Sequence, residues 1–137
     1  MKKTLALLVV ATVSGTLLAA GNLAKRAERL TALEIDGAKG FSVTEYHIET
    51  GKFYRWRIVS DGRDEYQLLA PELMRNVWVE QVSIEEKEVK PMGGLYAVEF
   101  DNEGAIDIYF VPIRPGSYEY FIPGMQADGM TGTFIVK

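Results

Sequence analysis

From Thr31 onward the chain consists of short apolar–polar alternations cut by Gly, Pro, Asn and Asp. Side chains on an extended strand point to opposite faces in turn. Period-two runs of this kind therefore mark strands with one face in a core and the other in water. Leu33-Glu34-Ile35-Asp36 is such a run, closed by a turn at Gly37 to Gly40. Phe41 to Glu49 alternates loosely, with Phe41, Val43, Tyr46 and Ile48 expected inward. In Phe53 to Val59, Tyr54, Trp56 and Ile58 form the expected core face, because Arg55 and Arg57 on the other face want water. Tyr66 to Leu69 opens another strand, and Pro71 to Asn76 breaks the pattern with one helical turn. Val77 to Ile84 sets Val77, Val79 and Gln81 against Trp78, Glu80, Val82 and Ile84. Glu85 to Glu88 reads as a solvated hairpin tip. Tyr96, Val98 and Phe100 are expected on one face; Ile106, Ile108 and Phe110, then Tyr118 to Phe121 and Thr131 to Lys137, complete the series. The prediction is an all-β domain over residues 31–137, a two-sheet sandwich of seven or eight strands.

Composition narrows the chemistry. The 137 residues contain no Cys and one His. This excludes disulfides, thiolate metal sites and thiol catalysis, and argues against His-rich zinc sites and Ser-His-Asp triads. The net charge of −4, with no long basic run, disfavours nucleic acid as a partner. Residues 1–20 read as a signal peptide: Lys2 and Lys3, an apolar stretch from Thr4 to Leu18, and small residues at Ala19-Ala20. The competing reading is an uncleaved anchor. Removal leaves 13 positive against 19 negative side chains, a formal −6. Residues 21–30 read as a linker or docking turn. An exported, periplasmic or secreted domain without disulfides must rely on its core alone.

The most specific stretch is Arg114 to Val136 (RPGSYEYFIPGMQADGMTGTFIV). It reads as turn, strand, Pro-Gly loop and closing strand, with Gly129-Met130-Thr131-Gly132 before the last strand. This stretch resembles the carboxyl-terminal end of the cupredoxin family. There Pro-Gly-x-Tyr-x-aromatic leads to a copper-ligand Cys, a loop with Pro-Gly-His, then Gly-Met and an apolar strand. The resemblance covers Pro112 to Val136 closely and Phe41 to Ser60 more loosely. It is nearer to the cupredoxin-like domains tied to periplasmic iron and copper handling than to plastocyanin-type carriers. What it implies is a Greek-key cupredoxin-like β-sandwich.

The resemblance also exposes what is missing. Blue copper needs two His, a Cys thiolate and a weak axial group. Met130 occupies the axial Met position and Met125 the second His position. The Cys position falls on Ile122 counting forward from Gly116, and on Tyr120 counting back from Met125, which a shortened loop explains. Asp64 or Glu65 stands where the first His belongs, and His47 lies two strands earlier. Without a thiolate there is no blue-copper electron transfer, so the resemblance carries the fold and not the usual activity.

Two readings of the site follow. Met125 and Met130, with Asp64, Glu65 and Tyr120, compose a non-blue set in which soft thioethers select Cu(I) and the oxygens suit Cu(II) or iron. Alternatively, Met125 and Met130 fill the apolar hole left by a lost metal. The favoured expectation is an exported protein that binds copper, less readily iron, and exchanges it with a membrane-bound metal transporter or another periplasmic protein. The rivals are a metal-free interaction module on the same scaffold and a ferroxidase-like redox subunit. No catalytic constellation is visible, and no small-molecule substrate is evident.

Overall fold

The computed structural model describes residues 23–137. The signal-peptide reading of residues 1–20, and the first two residues of the linker reading, lie outside the described residues. The strands are β1 (Glu28–Arg29), β2 (Leu33–Asp36), β3 (Gly40–Phe41), β4 (Glu45–Ile48), β5 (Tyr54–Ser60), β6 (Tyr66–Leu69), β7 (Val77–Ile84), β8 (Lys87–Val89), β9 (Ala97–Phe100), β10 (Gly104–Pro112), β11 (Gly116–Phe121) and β12 (Thr131–Val136). One short helix, α1 (Pro71–Met74), follows β6, with Pro at its start where a missing N–H costs nothing. There are more strand segments than the expected seven or eight, chiefly because β1, β3 and β8 are short separate pairings.

Two sheets face each other, as expected of a cupredoxin-like β-sandwich. The larger runs β3-β2-β5-β10-β7-β8, with β1 also paired to β5; the smaller runs β4-β12-β11-β6-β9. Parallel pairs β2·β5 and β4·β12 lie among antiparallel ones. The alternation read in β5 holds: Tyr54, Trp56 and Ile58 are buried, and Arg55 and Arg57 face outward. The Pro71 break is the helical turn expected, and it buries Leu73 and Met74.

Two expectations about facing fail. On β7 the buried residues are Val77, Val79 and Val82. The pairing with β10 passes from Phe110↔Val79 to Tyr109↔Gln81, so Glu80 is an extra residue in a β-bulge that reverses the phase of the strand. Tyr96 does not share the face of Val98 and Phe100; it precedes β9 and is 73% exposed, while the other two are buried. Trp78 is 52% exposed.

The core is aromatic at its centre. Tyr46 stacks on Phe134 at 4.8 Å, Trp56 meets Phe134 edge-on at 5.0 Å, and Tyr120 meets Phe134 at 5.3 Å. Edge-to-face and offset contacts at these separations add to the burial of the rings themselves. Trp56 Nε1 is a buried side-chain polar atom with no hydrogen-bond partner among the described residues. Tyr118, one strand over, donates from its hydroxyl to the carbonyls of Arg114 and Pro115 at 3.0 and 3.2 Å. That tie fixes the corner through which the chain enters β11.

Candidate functional site

The loop between β11 and β12 lies at the end of the sandwich that the sequence marks as the site. Its shape is set by its own backbone. Met125 N–H donates to Ile122 O at 3.1 Å, Met130 N–H to Met125 O at 3.2 Å, and Ile122 N–H to Met130 O at 3.1 Å. A single 3₁₀ turn at Gln126–Asp128 ends on Gly129, whose φ of 81° favours glycine. Gly40 packs under this turn: a Cβ there would stand 2.7 Å from Asp128 O, so the β2–β3 turn can approach only because residue 40 has no side chain. Phe41 N–H then donates to Gly129 O at 3.1 Å, joining the two loops.

The structure brings together part of the candidate set. Met125 and Met130 share this loop through the backbone bond. Met130 is 2% exposed, inside the core, and Met125 is partly buried against it. Tyr120 lies in the same core with 0% exposure, stacked on Phe41 at 5.6 Å. Its hydroxyl donates to Val43 O at 2.6 Å, and burial pushes its pKa up. Asp64 and Glu65 are exposed on the β5–β6 turn, where Asp64 Oδ1 accepts the Glu65 N–H at 2.9 Å. His47 is exposed on β4, its Nε2 2.6 Å from Glu45 Oε1.

These surroundings decide what the donors can do. The blue-copper donor set does not fit: the chain has no Cys, and its one His is held by Glu45 on an exposed strand face. Among the described residues no group of three or more His, Cys, Asp or Glu converges as a metal site does. A phenolate ligand from Tyr120 would have to give up the Val43 hydrogen bond and ionise while buried, both unfavourable. What remains at the loop is thioether sulfur, which suits Cu(I) alone among the metals considered.

Two features were not read as sites in the sequence. The first is a groove of about 420 Å³ lined by Met74, Arg75, Val77, Trp78, Leu95 and Tyr96 among others, between α1, the start of β7 and the segment that leads into β9. Its signal was present in two aromatics standing next to turn or loop segments. The second is an ion-pair cluster on the outer face of the larger sheet. Arg55 Nε and Nη2 donate to Asp107 at 2.9 Å each, and Arg57 Nη1 donates to the same carboxylate at 3.0 Å. That both arginines share one buried aspartate depends on a cross-strand register no local pattern reveals.

No protein-family model matches the chain, and no curated protein matches it in sequence. Solved structures do. A multicopper oxidase from Campylobacter jejuni superposes with a TM-score of 0.56 at 10% identity, over 82% of this chain and 31% of that one. Reduced auracyanin from Roseiflexus castenholzii gives 0.52 at 16% identity, over 77% of this chain and 94% of that one. The copper nitrite reductase of Nitrosomonas europaea gives 0.52 at 11% identity, over 69% and 32%. This chain thus spans about a third of the length of the oxidase and of the reductase. The fold is that of the cupredoxins, here on a chain without the cysteine that anchors blue copper. Among the described residues no helix is long and apolar enough to cross a membrane.

Proposed function

We propose that this chain is an exported, copper-related accessory protein that works by contact with a partner and not as a blue-copper electron carrier. The copper relation comes from the fold shared with a multicopper oxidase and a copper nitrite reductase. The contact mode is carried by one observation: the groove holds the exposed Trp78 and Tyr96, and Leu95 and Tyr96 lead directly into the edge strand β9. An edge strand offers unpaired N–H and C=O groups, and an extended apolar segment laid along it gains both main-chain bonds and side-chain pockets. The partner is a metal-handling protein of the same compartment, such as a membrane-bound metal transporter, presenting such a segment.

The chain has no Cys, so Trp78→Cys carries a photo-crosslinker at one defined place. Expressed in its own host, that variant is expected to give one dominant adduct with a metal-handling protein, abolished by adding Tyr96→Asp. No adduct, or one indifferent to Tyr96→Asp, overturns the contact mode.

A second reading is favoured by Met125 and Met130 sharing a backbone-bonded loop: Cu(I) is cargo, held transiently by the two thioethers and passed on. Competition titration with Cu(I), Cu(II) and Fe(II) separates the two. Cu(I) binding tighter than about 10 µM, roughly −7 kcal/mol, that is lost in Met125→Ala supports the cargo reading; weaker binding of all three ions removes it. Metal-dependent oxygen consumption would instead favour a ferroxidase-like subunit.

A further inference from the structure

We propose that the outer face of the larger sheet, where β1, β5 and β10 lie side by side, is a binding site for a phosphate-type oxyanion, built from Arg29, Arg55 and Arg57. This site is separate from the loop of Met125 and Met130, and from the β9 groove, and does not rest on either reading of function.

The arrangement begins with the pairing. β1 runs parallel to β5 with Arg29 opposite Arg55. Partners in register point to the same face, about 5 Å apart at the backbone. Arg57 is two residues along β5, hence on that face again and about 7 Å further on. Arg29, Arg55 and Arg57 accordingly line one groove of about 300 Å³, together with Leu30 and Ala32.

Like charges directly opposite each other destabilise a sheet. One carboxylate is available within the cluster. Asp107 is 8% exposed, accepts both a bidentate pair from Arg55 and a single bond from Arg57, and so neutralises one of three positive charges. Arg29 is exposed and makes no ion pair among the described residues. Glu34 stands on the same face beside Val59, and Glu85 and Glu103 line a neighbouring groove beyond Arg57. None of these three carboxylates makes an ion pair with the arginines among the described residues. The three arginines and Asp107 by themselves sum to a formal +2, on a protein whose overall charge is −4.

Asp107 does more than neutralise. By binding Nε and Nη2 of Arg55 it fixes the plane of that fork, and by accepting from Nη1 it tethers Arg57, leaving Arg55 Nη1 and Arg57 Nε and Nη2 for another acceptor. Arg55 is further held over the ring of Tyr109, 5.9 Å from its centroid. Guanidinium groups already oriented lose little entropy on binding, and their planar forks match the oxygen spacing of phosphate. A doubly charged oxyanion satisfies the three cations as no water can. The same chemistry occurs in free inorganic phosphate and in a phosphomonoester lipid headgroup.

The test is calorimetric titration of the full folded domain with inorganic phosphate at low ionic strength, where surface charge is least screened. Saturable one-to-one binding with a Kd of about 1 mM or tighter is expected. Arg29→Gln and Arg57→Gln should each weaken it about tenfold, the loss of one charge-assisted bond. Arg63→Gln, on the β5–β6 turn, should leave it unchanged. Arg29 is exposed on a two-residue strand, so its variant keeps the fold, which circular dichroism checks. Vesicles of phosphatidylcholine with and without phosphatidic acid form the second arm. Retention only by phosphatidic acid vesicles, lost in Arg29→Gln, assigns the headgroup as the source. Lack of saturation in both arms, or binding equal in Arg29→Gln, Arg57→Gln and the parent, overturns the proposal.

Discussion

The end of the sandwich around Met130 and the outer face around Asp107 use polar groups in opposite ways. At the first, the loop is closed on itself: Met125 O and Ile122 O take backbone N–H groups, Tyr120 spends its hydroxyl on Val43 O, and Met130 is sealed in the core. At the second, Arg55 and Arg57 share one carboxylate, Arg29 is paired in register with Arg55, and donors are left over. The loop between β11 and β12 is thus held by its own main-chain bonds and by packing, and the unspent bonding capacity lies elsewhere.

The comparison breaks most easily at the centre of the core. Phe134 is fully buried and touches Tyr46, Trp56, Phe110 and Tyr120. Phe134→Ala should cost about 4 kcal/mol, the usual range for deleting a buried ring. Urea unfolding followed by tryptophan fluorescence measures it. A loss below about 2 kcal/mol would mean the aromatic cluster is looser than these contacts describe.

On the outer face the corresponding change is Asp107→Ala. It leaves Arg55 and Arg57 without their shared acceptor, and Arg55 is itself only 21% exposed at the side chain. Breaking a fully buried pair costs more, but Arg57 is 44% exposed and can recover water, so about 2 kcal/mol is expected. A variant as stable as the parent would show that the cluster contributes nothing to folding.

Tyr120→Phe sharpens the contrast at the loop end by removing only a hydroxyl. Val43 O loses its donor in a dry setting, so a cost of about 1.5 kcal/mol is expected with the fold kept. The buried tyrosines also set an alkaline limit. Burial raises Tyr46 to about 12; burial, then its bond to Asp61, raises Tyr66 to about 12. A neutral phenol favoured in the folded state stabilises it fully below the ordinary tyrosine value near 10, and that contribution is lost as pH rises towards 12. Absorbance at 295 nm should therefore show these two rings ionising well above the ordinary tyrosine value, together with unfolding. Tyrosines that all titrate together below pH 11 would contradict their burial.

Much of the sandwich was legible because its strands obey a simple period. β2, β6 and the inward face of β5 were readable from alternation, and α1 from Pro71. The failures have local causes. The bulge at Glu80 adds one residue, and alternation has no memory of phase beyond such an insertion. Tyr96 was grouped with Val98 by spacing, but the loop before β9 had not yet become a strand there. At the site, Met125 and Met130 were placed on one loop by the family pattern, and so they are. Whether a Met in such a loop faces out or in depends on packing from β3 and β4, which are distant in sequence. The Arg29, Arg55 and Asp107 cluster was hidden for the same reason: it is made by register between three strands.

The smallest expected effect is the most useful for separating plug from ligand. Met125 is only partly buried against the core, while Met130 is wholly inside it. If Met125 only covers the loop, Met125→Ala removes a partly exposed thioether and should cost less than about 1 kcal/mol, with Cu(I) affinity unchanged. If copper is cargo, the same variant stays equally stable yet loses Cu(I) binding at least tenfold, because a thioether donor gone from a set this small has no replacement. Stability and affinity measured on one preparation thus read two different quantities from one side chain. A stability loss above about 2 kcal/mol would contradict the half-exposed position of Met125 and return the loop to the core.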